Sequence, residues 1–270
     1  MKTYQTTLTD ETKNPVLQQN SFGRTGKYKK QDSTKIIEIL SANNFELKET
    51  SYGIPRNKEK LGYQKHIMIF TRPDLQINEE NSLQLLVTNS HDGSCSVKFD
   101  LGIFRTVCAN GLVVGDSLFS NRVKHIGDRF EDRINLTLQR VLEMVPTIRN
   151  MVKLMMDTTL RSDQVLEFVK KAVNIRLKGI DNIKAIDYNT VAKVRRLADQ
   201  KTDLYTIFNV IQENVIKGGI KYQTEKITVN EFNEETEVVK RNHTCRQIKG
   251  IDALLSTNKA LWDTAMSFAA

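Results

Sequence analysis

The stretch "SCSVKFDL", Ser94 to Leu101, decides the fold class. Cys95, Val97, Phe99 and Leu101 alternate with Ser96, Lys98 and Asp100, which is the period of an extended strand with one buried and one wet face. A one-sided strand belongs to an antiparallel sheet, because parallel strands are covered on both faces and read as continuous apolar runs. Working outward, the same period recurs in Phe45 to Tyr52, Tyr63 to Thr71 and Leu83 to Thr88. Asp92-Gly93 supplies a turn pair before the fourth strand, although the loop from Asn89 to Ser94 is longer than a minimal hairpin. The expected core is an antiparallel β-meander.

Helices bracket the meander. Ser33 or Thr34 is the expected cap of a short helix with Ile36, Ile37, Ile39 and Leu40 on its apolar face, stopped by Asn43-Asn44. Behind the sheet, Ile134, Leu138, Val141, Val145, Ile148, Val152 and Met155 step alternately by four and three. That spacing predicts a helix over about 128–158, laid across the sheet and kinked or divided at Pro146. Val165 to Leu177, Thr190 to Leu197, Leu204 to Val215 (closed by Gly218-Gly219) and Ile251 to Ala265, with Trp262, read as further helices. Residues 221–242 mix both charges and suggest an exposed excursion or a small hairpin. The expected class is α+β: an antiparallel meander packed by a long kinked helix, then a mainly helical C-terminal half. Residues 1–32 are expected as a basic flexible arm, 33–160 as the core and 161–270 as a mainly helical region packing on it.

Composition limits the function classes. A 270-residue chain with 39% hydrophobic and 27% charged residues builds a core without disulfide staples. Cys95, Cys108 and Cys245 are widely spaced and odd in number, which fits a reducing cytoplasm. The N-terminus lacks the apolar run of a signal peptide, and no 18-residue apolar stretch exists to cross a membrane. The excess of 40 Lys+Arg over 32 Asp+Glu, a formal charge of +8, favours a polyanionic partner.

The catalytic motifs fail on context. Gly115-Asp116-Ser117-Leu118 matches a serine-esterase tetrapeptide, but such enzymes need a histidine preceded by aspartate three positions earlier. Three residues before the four histidines stand Tyr63, Thr88, Arg122 and Lys240. The motif also follows an antiparallel meander rather than opening a parallel sheet, so the hydrolase reading is rejected. His91, Asp92 and Cys95 lie close in sequence, yet no paired ligand spacing accompanies them, and no metal is expected. Cys108 has no sequence neighbour to lower its pKa, and "GRTGKY" at Gly23 lacks the phosphate-loop spacing; no cofactor is expected. What remains is basic residues interleaved with aromatics: Tyr28-Lys29-Lys30, then Arg56, Lys58, Lys60, Tyr63, Lys65 and His66, then Arg122, Lys124 and His125. Cations track phosphates while Tyr and His stack on unpaired bases; the same residues also suit an ordinary solvated surface.

The block "LLVTNSHDGSCSVKFDLGIFRTVCANGLVVGDS", Leu85 to Ser117, resembles the phage and plasmid family catalogued as domain of unknown function 932, whose phage branch is also carried as number 945. The matching positions are Asn89, Ser90, His91, Asp92, Gly93 and Ser94, then Gly102, Phe104, Arg105, Val107, Cys108, Asn110, Gly111 and Leu112. The likeness continues in "GYQKHIMIF" upstream and in Asn209, Gln212, Glu213, Asn214, Gly218, Gly219, Gly250, Asp252, Asn258, Lys259 and Trp262 downstream. The resemblance implies a context, a phage, prophage or plasmid product near replication or recombination genes, and the order of elements is similar to the core of phage single-strand annealing proteins. The expected function is non-enzymatic binding of single-stranded DNA by a cytoplasmic, self-associating protein. Two alternatives stand beside it: a protein-binding module acting on a host factor, and an enzyme built on His91, Asp92 and Arg105.

Overall fold

The computed structural model describes residues 3–6, 15–17, 32–77, 81–105, 120–123, 129–229 and 236–269. The chain divides into two compact units, Met1–Arg149 and Asn150–Ala270. The first unit is a six-stranded antiparallel meander in which every strand pairs with its sequence neighbour: β1 (Thr3–Thr6), β2 (Glu46–Gly53), β3 (His66–Thr71), β4 (Asn81–Asn89), β5 (Val97–Arg105) and β6 (Ser120–Val123). The four strands expected from alternation are β2 to β5. The first 32 residues, expected as a loose arm, contribute β1, paired Tyr4 to Tyr52, and a 3-10 turn at Pro15–Leu17 whose Val16 and Leu17 are buried.

One face of the sheet carries Met68, Phe70, Leu85, Val87, Val97, Phe99, Leu101 and Ile103, all buried. Two helices lie on that face: α1 (Ser33–Ala42), through Ser33 to His66, and α2 (Phe130–Asp157), through Thr137, whose hydroxyl accepts from Asn121 at 2.9 Å. Asp32, not Ser33 or Thr34, caps α1, its carboxylate accepting from the Thr34 amide at 3.1 Å. All seven residues of the predicted α2 seam are buried. The helix runs as one element through Pro146, so of the two expected outcomes there, a kink or a division, the division does not occur. A mid-helix proline costs about 3 kcal/mol, whereas each buried seam side chain contributes about 1.5–3 kcal/mol, so packing outweighs the lost bond.

The opposite face of β4 and β5 is not the wet face that alternation predicts. Gln84, Leu86, Thr88 and Asp100 are buried there, Asp100 to 1% exposure. Lys98, two residues earlier on the same face, meets the Asp100 carboxylate at 3.1 Å. Two charges that neutralise each other are withdrawn from water far more readily than either alone, and composition cannot distinguish such a pair from a solvated one.

The second unit packs α3 (Ser162–Arg176), α4 (Leu204–Lys217) and α5 (Ile251–Ala269) around Phe168, Phe208 and Trp262, with Trp262 edge-on to Phe208 at 5.6 Å between centroids. A three-stranded antiparallel sheet joins β7 (Ile183–Ile186), β8 (Lys221–Val229) and β9 (Thr236–Thr244) in that order. Residues 221–242 are thus largely a hairpin. The helix expected from Thr190 to Leu197 is absent; the segment is turns and one 3-10 turn at Leu197–Asp199.

Candidate nucleic-acid interface

His66 and His91 do not reach a surface. Both are fully buried beside Ser33 and Asn89, with ring centroids 5.2 Å apart. The bonds fix the protons. His66 Nδ1–H donates to the Gln64 carbonyl at 3.0 Å, so its Nε2 accepts from the Ser33 hydroxyl at 2.9 Å. His91 Nε2–H donates to the Val16 carbonyl at 2.9 Å and is shared with Ser33 Oγ at 3.2 Å. Asn89 Nδ2 donates to the same oxygen at 3.1 Å. Ser33 therefore uses its one donor and both acceptor directions, and the knot ties α1, β3, β4 and the Val16 turn together. A serine beside a histidine resembles an activated nucleophile, but a hydroxyl saturated from three sides and shut from solvent has a structural duty. This placement takes His66 out of any set that could stack on a base.

Burial pushes the His66 imidazole down to about 3; proximity to His91 adds to this, while the Gln64 hydrogen bond and the Asp92 charge oppose it. A depressed folded value means that stability is full above the unfolded value of 6.5 and falls as the pH drops from there towards 3, because only the unfolded chain takes the proton. Between pH 6.5 and about pH 5 the loss is expected to be about 2 kcal/mol, read from urea midpoints across that range and flattened in His66→Gln.

Among the described residues of the first unit, the connection between β2 and β3 is a cationic element. From Ile54 to Lys65 it holds Arg56, Lys58, Lys60 and Lys65 against one acid, Glu59. Asn57 caps a 3-10 turn at Lys58–Lys60 by accepting from the Glu59 amide at 3.0 Å, and Arg56, Lys58 and Lys60 are exposed while Tyr63 and Lys65 are half-buried. The loop is anchored: the Tyr63 carbonyl accepts from the amides of His91 and Asp92, both at 2.9 Å. Burial raises the Asp92 carboxyl, but hydrogen bonds from Ser94 and Ser90 and the charge of Lys60 hold it below its usual value. The Asp92 carboxylate accepts from the Ser94 amide at 2.9 Å, and Gly93 takes the positive φ of 70° that the turn requires. Arg122 is exposed on β6, opposite Lys98.

Arg105 is remote from this end. The register pairs it with Asn81, eight residues along β4 from Asn89, or about 25 Å at about 3.3 Å per residue. The backbone of Arg105 therefore stands at the opposite end of the β4–β5 pair from His91 and Asp92. Tyr28, Lys29, Lys30, Cys108, Asn110, Lys124, His125 and the Gly115–Leu118 tetrapeptide lie outside the described residues.

In the second unit, Gln212, Glu213 and Asn214 hold the fold of α4. Asn214 Nδ2 donates to the carbonyls of Val191 and Lys193, at 3.0 and 2.9 Å, and its Oδ1 accepts from Arg195 Nε at 3.0 Å. Carbonyls satisfied in this way need no helical amide, which explains why residues 190–197 are turns rather than helix. Arg196 grips Glu213 through two bonds of 2.7 and 3.0 Å and also reaches Asp199, while Lys217 meets Glu213 from the next turn. Gln212 Nε2 donates to Asn258 Oδ1 at 2.7 Å, joining α4 to α5.

The β8–β9 hairpin holds what sequence reasoning missed. Tyr222 pairs with His243 across the strands and the rings stack at 4.9 Å between centroids, 19° from parallel. The available signal was the alternation in "KYQTEK" and "VVKRNH", obscured by its mixed charges. Among the described residues no group of three His, Cys, Asp or Glu is placed to hold a metal ion. No helix among them is long and apolar enough to cross a membrane.

Residues 24–262 match the family profile described as domain of unknown function (DUF932). The chain is similar to two Escherichia coli (strain K12) proteins. It is 32% identical to UPF0380 protein YfjQ over 210 residues, 77% of this chain and 69% of that one. It is 31% identical to UPF0380 protein YafZ over 207 residues, 77% of this chain and 70% of that one. No solved structure matches the chain at a significant level.

Proposed function

The chain belongs to the DUF932 family, and we propose that it is a non-enzymatic nucleic-acid-binding protein that prefers single-stranded DNA, of phage or plasmid type, serving replication or recombination as a self-associating, annealing-like factor. The observation that carries this reading is the β2–β3 connection, where Arg56, Lys58 and Lys60 are exposed on a loop whose backbone is pinned through Tyr63. Cations on an ordered loop hold phosphates at lower entropic cost than cations on a floppy one. The knot around Ser33 and the distance to Arg105 speak against an enzyme built on His91, Asp92 and Arg105.

A salt-titrated anisotropy assay with labelled single-stranded and duplex DNA tests the proposal. Single strands are expected to bind more tightly, with an affinity that falls steeply with salt. Charge reversal at Arg56, Lys58 and Lys60 should weaken binding of all sequences alike and reduce the log–log salt slope by about 2, since each phosphate contact on a single strand contributes about 0.7. Absence of binding at low salt, or capture of a host protein with no shift of nucleic acid, would overturn it.

A further inference from the structure

We propose that the β8–β9 hairpin is a second, base-contacting site: a single unpaired base packs on the Tyr222–His243 pair while its flanking phosphates lie on Lys226 and Arg241. The inference rests on the nucleic-acid reading above and deepens it with a site that the resemblance does not mark. Strand alternation places Tyr222, Thr224, Lys226, Val239, Arg241 and His243 on one face, and the contacts agree. The two rings touch, and Thr224 Oγ1 lies 2.8 Å from His243 Nε2 and fixes the imidazole plane. That set holds two exposed cations, and the first acid on this face, Glu237, is one rung further along, opposite Thr228. The one acid of this part of β8, Glu225, is on the other face, between Lys184 at 4.0 Å and Lys240 at 3.7 Å, where its charge is matched.

The aromatic pair is half-buried rather than sunk in a core, and around its rung lies an open depression of about 600 Å³, lined also by Ile186, Asp187, Gln223 and Asn242. Its walls combine aromatic faces, side-chain amides, the Lys221 ammonium and one carboxylate, Asp187, which accepts from the Asn189 amide and the Thr190 hydroxyl. This polar lining suits a nucleobase rather than an apolar ligand. A stacked pair already held parallel offers a preformed π-face, so a base joins it without ordering either ring.

The test uses the full chain and a labelled thymidine 30-mer, with circular dichroism as the check on folding. Tyr222→Ala is expected to weaken binding about tenfold without altering the salt slope, because stacking releases no counterions, and Tyr222→Phe should restore it. Lys226→Glu with Arg241→Glu, both exposed and harmless to the fold, should lower the slope as well as the affinity. If the unaltered protein binds the strand and the alanine and charge-reversed variants bind equally well, this site is refuted while the β2–β3 loop reading stands. If the unaltered protein binds no strand, both fall.

Discussion

Arg196→Met is expected to destabilise the second unit by about 3 kcal/mol, seen as a lower urea midpoint with an unchanged slope. Glu213 is only 3% exposed and receives two hydrogen bonds from Arg196. Methionine preserves most of the packing but strips the buried carboxylate of both Arg196 bonds, with Lys217 still beside it. Breaking such a pair from one side costs about 3–5 kcal/mol, and the remaining lysine argues for the lower end. Glu213→Gln should cost less, because it removes the buried charge itself and leaves Arg196 its bond to Asp199. The pH dependence separates the two causes. Burial pushes the Glu213 carboxyl up, yet the bonds and charges of Arg196 and Lys217 outweigh it and hold the group at about 2. A depressed carboxylate contributes stability that is complete above its ordinary value of 4.5 and disappears as the pH falls through about 2. That acid limb should shrink in Arg196→Met and vanish in Glu213→Gln.

The same network shows where sequence reasoning succeeds and where it stops. Period two and the four–three seam locate β2 to β5 and α2 because side-chain burial repeats with the backbone. Residues 190–197 have helical composition, yet an asparagine more than 15 residues downstream takes their carbonyls, a competitor that no local window contains. Asp100 carries the polar half of an alternating pattern and is buried because Lys98 neutralises it. His66 and His91 stand out in the motif for their chemistry, but Ser33, the atom that explains them, sits at a helix start where a cap was expected. The basic loop was readable because charge density needs no partner. The Tyr222–His243 rung was not, because it exists only once two strands 21 residues apart are in register.

Gly218→Ala is expected to destabilise the second unit by about 3 kcal/mol or more, against about 1–2 kcal/mol for the neighbouring Gly219→Ala. Both glycines have positive φ, 80° and 89°. Gly218 combines its φ with a ψ of −153°, a region that only glycine occupies comfortably. Its surroundings decide the larger effect. A methyl group at Gly218 would stand 2.6 Å from the Cys245 carbonyl oxygen and 2.8 Å from Arg246 backbone atoms, whereas at Gly219 the nearest atom is a Thr190 methyl at 3.7 Å. The obstacle at Gly218 is main chain and cannot rotate away. It is also bonded main chain: the Gly219 amide donates to the Cys245 carbonyl at 2.8 Å, and the Cys245 amide donates to Ile220 at 2.9 Å. These bonds fasten the end of β9 to the start of β8. Alanine at Gly218 therefore strains α4's last turn and levers the hairpin base apart together, so hydrogen exchange at Cys245 and Gly219 should accelerate beyond what the loss of global stability accounts for. In Gly219→Ala, where only backbone strain is added, exchange at those amides should follow global unfolding.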